Sequence, residues 1–160
     1  MTYAIGQNTA ETYTLAELAS SGKGFGLGDR YTDHTGKEWV FVVAGGAIAA
    51  SDVAVFDEAY SALALSTSND ARGDLVGVAP AAIASGSYGW LQRTGPCTMN
   101  VLASCAANTR LNTTATGGSL DDDNTVGAFT VDGIFLTTAR AASPGSAPGI
   151  LNNPIIGVVL

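Results

Sequence analysis

Hydrophobic positions along this chain come in short runs, broken at close intervals by Gly, Asn, Asp, Ser and Pro. The runs fall at residues 30–33, 37–43, 53–56, 75–79, 88–93, 98–103, 126–131, 134–138 and 155–160. Alternating or continuous apolar segments of this length, bounded by turn-formers, read as β-strands. The first two flank His34-Thr35-Gly36, the pattern of a hairpin. So many short strands predict a mainly β fold, either a small β-barrel or β-tulip-like domain or a sandwich. The longest helical rival, residues 59–65, is too short to change that class.

The first 28 residues differ from the rest. Thr14-Leu15-Ala16-Glu17 has the form of a capping box, and Ser20-Ser21-Gly22 stops the helix soon after it starts. An alternating glycine run, residues 22–28, follows. Residues 1–28 therefore read as an extended N-terminal arm with a Gly-rich linker, and residues 29–160 as the β-rich domain. A weak internal pattern runs through that domain. Residues 47–53 match residues 82–88 at an offset of 35, and residues 105–110 echo them. Each copy has an apolar anchor, small residues, a turn-former and then a strand, which describes a tight corner that plugs the core.

Composition adds two constraints. Hydrophobic residues make up 46% and charged residues 13%, the opposite balance from a disordered chain. With a mean hydropathy of +0.24, part of the apolar surface is expected to be covered by partners. The net charge of −7, with seven scattered basic residues, argues against nucleic-acid binding, which needs clustered Lys and Arg. The most apolar stretch, residues 39–50, is interrupted by Gly45-Gly46 and falls short of the roughly 20 residues of a spanning helix. The N-terminus shows neither a basic region nor an apolar run. The expectation is a chain made in a cytoplasm and not embedded in membrane. Cys97 and Cys105 then read as buried small apolar groups more readily than as a disulfide.

Candidate chemistry is sparse. His34 is the only histidine and sits at a predicted turn, without a nucleophile or partner pattern around it. The glycine run lacks a Gly-Lys-Ser/Thr ending and precedes a strand, so it does not form a phosphate loop. Asp121-Asp122-Asp123-Asn124 lacks the spacing of an EF-hand and reads as a solvated acidic turn. Arg72-Gly73-Asp74 leads straight into a strand and reads as a turn. The expectation is a non-enzymatic protein with no cofactor and no metal.

One block carries a signature. It runs through Val76-Gly77-Val78-Ala79, Ile83-Ala84-Ser85-Gly86-Ser87-Tyr88-Gly89-Trp90-Leu91-Gln92 and Cys105-Ala106-Ala107-Asn108. It continues in residues 111–118, Leu120-Asp121-Asp122-Asp123, Gly133-Ile134-Phe135-Leu136-Thr137-Thr138 and residues 147–152. Over roughly residues 76–152 the chain resembles the capsid decoration, or cement, proteins of tailed bacteriophages. The resemblance implies a small β-domain on the outer surface of the virion, trimeric, clamping the major capsid protein lattice. It further implies that the arm reaches along the capsid. On that arm Tyr3, Ile5, Tyr13, Leu15 and Leu18 are the candidate capsid-interface anchors, because aromatic and aliphatic side chains dominate interface energetics.

Two other classes compete. A glycan-binding or adhesive β-domain displayed on a virion or cell surface would present an exposed aromatic platform at Trp39 or Trp90. A small hydrolase would use the acidic run, but the chain offers it no histidine partner.

Overall fold

The computed structural model describes residues 7–20, 22 and 24–160. Among the described residues, a short helix, α1 (Leu15–Ser20), is followed by eleven strands. They are β1 (Arg30–Thr32), β2 (Glu38–Ala44), β3 (Val53–Phe56), β4 (Ser61–Ala64), β5 (Leu75–Val78) and β6 (Tyr88–Gln92). Then come β7 (Thr94–Val101), β8 (Leu111–Thr113), β9 (Leu120–Asp121), β10 (Phe129–Leu136) and β11 (Gly145–Val159).

The pairings close into two rings of five strands. The first runs β2–β4–β3–β5–β6 and returns to β2. The second runs β7–β9–β8–β10–β11 and returns to β7. Matched in chain order, the two rings have the same strand order. Each contains one parallel pair, β2 with β4 and β7 with β9, and is otherwise antiparallel. The fold is thus a closed β-barrel repeated in topology, with β1 added at the outside of β2. Closure satisfies edges that would otherwise invite unwanted pairing.

The corner pattern read from the sequence is real and local. Ser51, Gly86 and Asn108, each three residues after its apolar anchor (Ile48, Ile83 and Cys105), have φ of 67°, 77° and 58°. In the first two, the residue after this left-handed position donates its N–H back across the turn, Asp52 to Ala49 at 3.2 Å and Ser87 to Ala84 at 2.9 Å. These corners launch β3, β6 and β8. The anchors Ile48 and Ile83 bridge one another as an antiparallel pair.

Alternation along the strands divides the core. Val40, Val42, Ala44, Ala54, Phe56, Ala62 and Leu91 fill the first ring. The opposite faces of β3 and β5 turn Val53, Val55, Val76 and Val78 towards the second ring, where they join Met99, Val101, Leu111, Leu120, Val131 and Leu136. Strands buried on both faces lose the polar alternation of a half-exposed sheet.

Several expectations shift in position. Residues 59–65 hold a strand, β4, where the sequence offers its best helix after α1. The Asp57 carboxylate accepts the N–H groups of Ala59 and Ser61 and reverses the chain there, with Tyr60 at φ 58°. Pairing with β3 and β2 then overrides local helix propensity. The polar segments forming β8 and β9 carry no strand pattern of their own. β11 runs through Pro148 and Pro154, and it is far longer than the expected residues 155–160. Opposite its bend, β10 bulges at Gly133 (φ 80°), where an added Cβ would lie 2.6 Å from the Asn152 carbonyl oxygen.

Arg93 sits between the rings. Its N–H donates to the Glu38 carbonyl at 2.8 Å, and its own carbonyl accepts from Asn153 at 2.9 Å. The buried guanidinium donates to the carbonyls of Val76 and Pro154 and lies 5.4 Å from the centre of the Phe56 ring. One side chain therefore ties β5, β11 and the first ring's interior together. Burial lowers its pKa to about 10, which still leaves it charged at neutral pH.

Candidate functional site

In place of an extended arm, the described part of residues 7–28 lies across the first ring as a strap. The reason is the outer face of β2 and β6. Trp39, Phe41, Tyr88 and Trp90 point away from the ring interior there, and an uncovered aromatic face of that size is costly in water. Tyr13, Leu18 and Phe25 cover it. Phe25 lies 5.3 Å from Trp90 edge-on and 5.4 Å from Phe41, and Tyr13 lies 6.4 Å from Phe41. Tyr13 also pairs with Tyr88 through two backbone hydrogen bonds of 2.8 and 2.7 Å. At the strap's far end Gly28 (φ 85°) is pressed against the Tyr60 ring, and its N–H donates to the Phe41 carbonyl at 2.9 Å.

The capping box forms as read. Thr14 Oγ1 accepts from the Glu17 N–H at 3.2 Å, and the Glu17 carboxylate accepts from the Thr14 N–H at 2.7 Å. The Thr14 N–H, and then the Thr14 hydroxyl, donate to that carboxylate and lower the Glu17 pKa.

The five candidate anchors separate. Tyr3 and Ile5 lie outside the described residues. Tyr13 is buried, so it serves the strap's inner side, and Leu18 is half-buried in the same cluster. Leu15 alone of the described anchors faces solvent, 65% exposed, and Leu27 joins it at 42%. Sequence reasoning missed a further set of exposed apolar side chains, Leu63, Val126, Phe135, Ile155, Val158 and Val159. A signal for it exists, since five of residues 155–160 are apolar and a strand with one face on a core buries only alternate positions.

Trp39 and Trp90 are both buried, so they form no exposed platform. Trp90 Nε1 finds no hydrogen-bond partner among the described residues. A cleft of about 410 Å³ opens where the rings meet, lined by Lys37, Trp39, Gln92, Cys97 and Thr98 among others. No carboxylate or histidine is among its lining residues. Both cysteines are free thiols, Cys105 buried and Cys97 half-buried. Burial pushes each up to about 12, so neither is a ready nucleophile or metal ligand.

The acidic run is a turn with Asp123 and Asn124 exposed and Asp121 and Asp122 half-buried, and hydrogen bonds tie it together. Asp123 Oδ1 accepts from Asn112 Nδ2 at 3.0 Å and from the Thr125 N–H at 3.1 Å. The hydroxyl of Thr125 adds a third bond, the largest cause of that carboxyl's lowered pKa. Asp122 Oδ2 accepts from the Ala106 N–H at 3.2 Å. The ligand atoms of Cys105, Asp121 and Asp122 lie within 4.8 Å of one another, but the thiol is held protonated by burial and by those carboxylates. Arg72-Gly73-Asp74 forms the expected turn, with the Asp74 N–H donating to Ala71 at 3.1 Å. His34 is exposed in the β1–β2 hairpin, where Asp33 accepts from the N–H groups of Thr35 and Lys37 and from Trp39 Nε1.

No known family model matches the chain, and no curated protein matches it in sequence.

Proposed function

We propose that this chain is a virion structural protein that binds the outside of a phage capsid and cements the major capsid protein lattice, as a homotrimer. The observation that carries the reading is the two-sided strap. Its inner side, Tyr13, Leu18 and Phe25, belongs to the protein's own aromatic face, while Leu15 and Leu27 point away from it. Aliphatic side chains held outward on an ordered segment bind a partner without the entropy loss of ordering a loose arm. Many copies on one lattice then convert modest individual contacts into strong retention. The resemblance over residues 76–152 supplies the partner class.

The test is a double substitution, Leu15→Asp with Leu27→Asp, added to purified heads stripped of this protein. Binding falls at least tenfold while the unfolding midpoint stays near that of the unmodified chain. Unchanged binding sinks the proposal. Point substitutions serve better than deleting residues 1–28, because deletion would bare Phe41 and Trp90 and perturb the barrel itself. The glycan reading depends on an exposed aromatic platform, and both tryptophans are buried.

A further inference from the structure

We infer that the mouth of the first ring holds a single monatomic anion, of the size and charge of chloride, between the guanidinium groups of Arg30 and Arg93. Strand alternation brings these groups together. Arg30 pairs with Val40 across β1 and β2, so its side chain shares the face on which Val40 points into the ring. Arg93 lies two residues beyond Leu91, and Glu38 two before Val40, which puts all three charged side chains on the interior face at one end of the ring. There they line one small cavity, walled by Val40, Phe56 and Leu75.

Three observations point to an anion. The first is Arg93 itself, which keeps only 8% of its surface exposed. Among the described residues only Nη1 of its guanidinium donates to protein acceptors, the Val76 and Pro154 carbonyls. Nε and Nη2 are left to another acceptor, and a buried cation without a counter-charge is costly. Second, the Arg30 guanidinium lines the same cavity, although like charges repel. Burial first, and then the Arg30 charge, lower the Arg93 pKa, and Glu38 offsets them only in part. Glu38 lies opposite Arg93, whose N–H donates to its carbonyl at 2.8 Å, but neither arginine forms an ion pair among the described residues. Third, the cavity measures about 10 Å³, room for one water-sized particle and too little for sulfate or phosphate.

Two cations against one carboxylate leave one positive charge, which a monovalent anion balances. Such an ion also joins β1, through Arg30, to the junction that Arg93 already ties. The stability of the fold then depends on chloride in particular and not on salt in general, because only the folded state offers the site. The inference does not rest on the capsid reading, since it is tested on the protein alone in solution.

Urea unfolding of the full chain at constant ionic strength, with sodium gluconate exchanged stepwise for sodium chloride, reads the site. The unfolding constant should fall about tenfold as chloride rises from about 5 to about 500 mM, with the limiting slope of one bound ion. Arg30→Gln removes a guanidinium at an exposed position on β1 and should weaken chloride binding about tenfold while the chain still folds. Glu38→Gln removes the opposing carboxylate and should tighten chloride about threefold. Crystals grown in bromide should show an anomalous peak within hydrogen-bond reach of both guanidinium groups. Equal stability in chloride and gluconate overturns the inference, and so does a chloride response that Arg30→Gln leaves unchanged. A response that appears only in Glu38→Gln overturns it as well, since Glu38 itself would then neutralise Arg93. So does a cavity without a bromide peak.

Discussion

The two rings share one strand order and differ in the polar groups they bury. In the first, β2 and β3 are almost wholly buried, and the outward faces are covered by the aromatic strap on one side and by the second ring on the other. In the second, polar groups are buried on the strands beside the apolar core. Asn112, Thr113, Thr114 and Thr130 are all buried, and the Thr113 hydroxyl donates to Asp70 while accepting from the Phe129 N–H at 3.0 Å. Both rings thus close around apolar side chains, and the second adds a set of buried, hydrogen-bonded polar groups on β8 and β10. The contrast teaches that closing a ring tolerates buried polar groups. It requires only that each inward group be apolar or paired.

Substitutions can break this comparison in order of expected size. Phe41→Ala removes a fully buried ring from both the first ring's wall and the strap's bed, and should cost about 4 kcal/mol in denaturant unfolding. Arg93→Ala strands two buried carbonyls at the junction and should cost about 3 kcal/mol. It should also broaden or split the calorimetric transition if the rings depend on this tie for cooperative unfolding. Thr113→Val leaves the Phe129 N–H and the Asp70 carboxylate without that hydroxyl, and should cost about 2 kcal/mol despite its equal volume. A Val55→Thr change in the first ring's valine wall should cost a similar amount for the opposite reason, an unpaired hydroxyl in an apolar cluster.

The smallest effects are pH-dependent and confined to the acidic turn. Hydrogen bonding lowers the Asp123 pKa in the folded state. Its contribution is therefore present above the ordinary carboxylate value of about 3.9 and is lost as pH falls through the lower folded value. Asp123→Asn should flatten the acid limb of the stability profile. Asp121 is shifted the other way, raised first by burial. Its ionisation costs stability as pH rises through the elevated folded value. Asp121→Asn should then stabilise slightly at pH 7 and have no effect below about pH 4. Thermal midpoints measured between pH 3 and 7 check both signs.

The sequence by itself determined the β class, because runs of four to seven apolar residues between turn-formers suit strands and little else. It also determined the capping box and the hairpin at residues 33–37, where side chains bond to backbone only a few residues away. The three corners were legible for the same reason, since a left-handed residue after small ones is a local constraint. Tertiary structure alone decided what depends on distant partners. β4 became a strand because β2 and β3 were there to pair with it. The polar segments β8 and β9 were drawn into a ring that gives every donor an acceptor. The repeated topology was invisible because equivalent strands differ in length and share no residue pattern. Residues 1–28 looked like a loose arm, with glycines and scattered aromatics, until β2 and β6 put Phe41 and Trp90 on one outer face. That face draws Tyr13 and Phe25 inward and leaves Leu15 and Leu27 turned out.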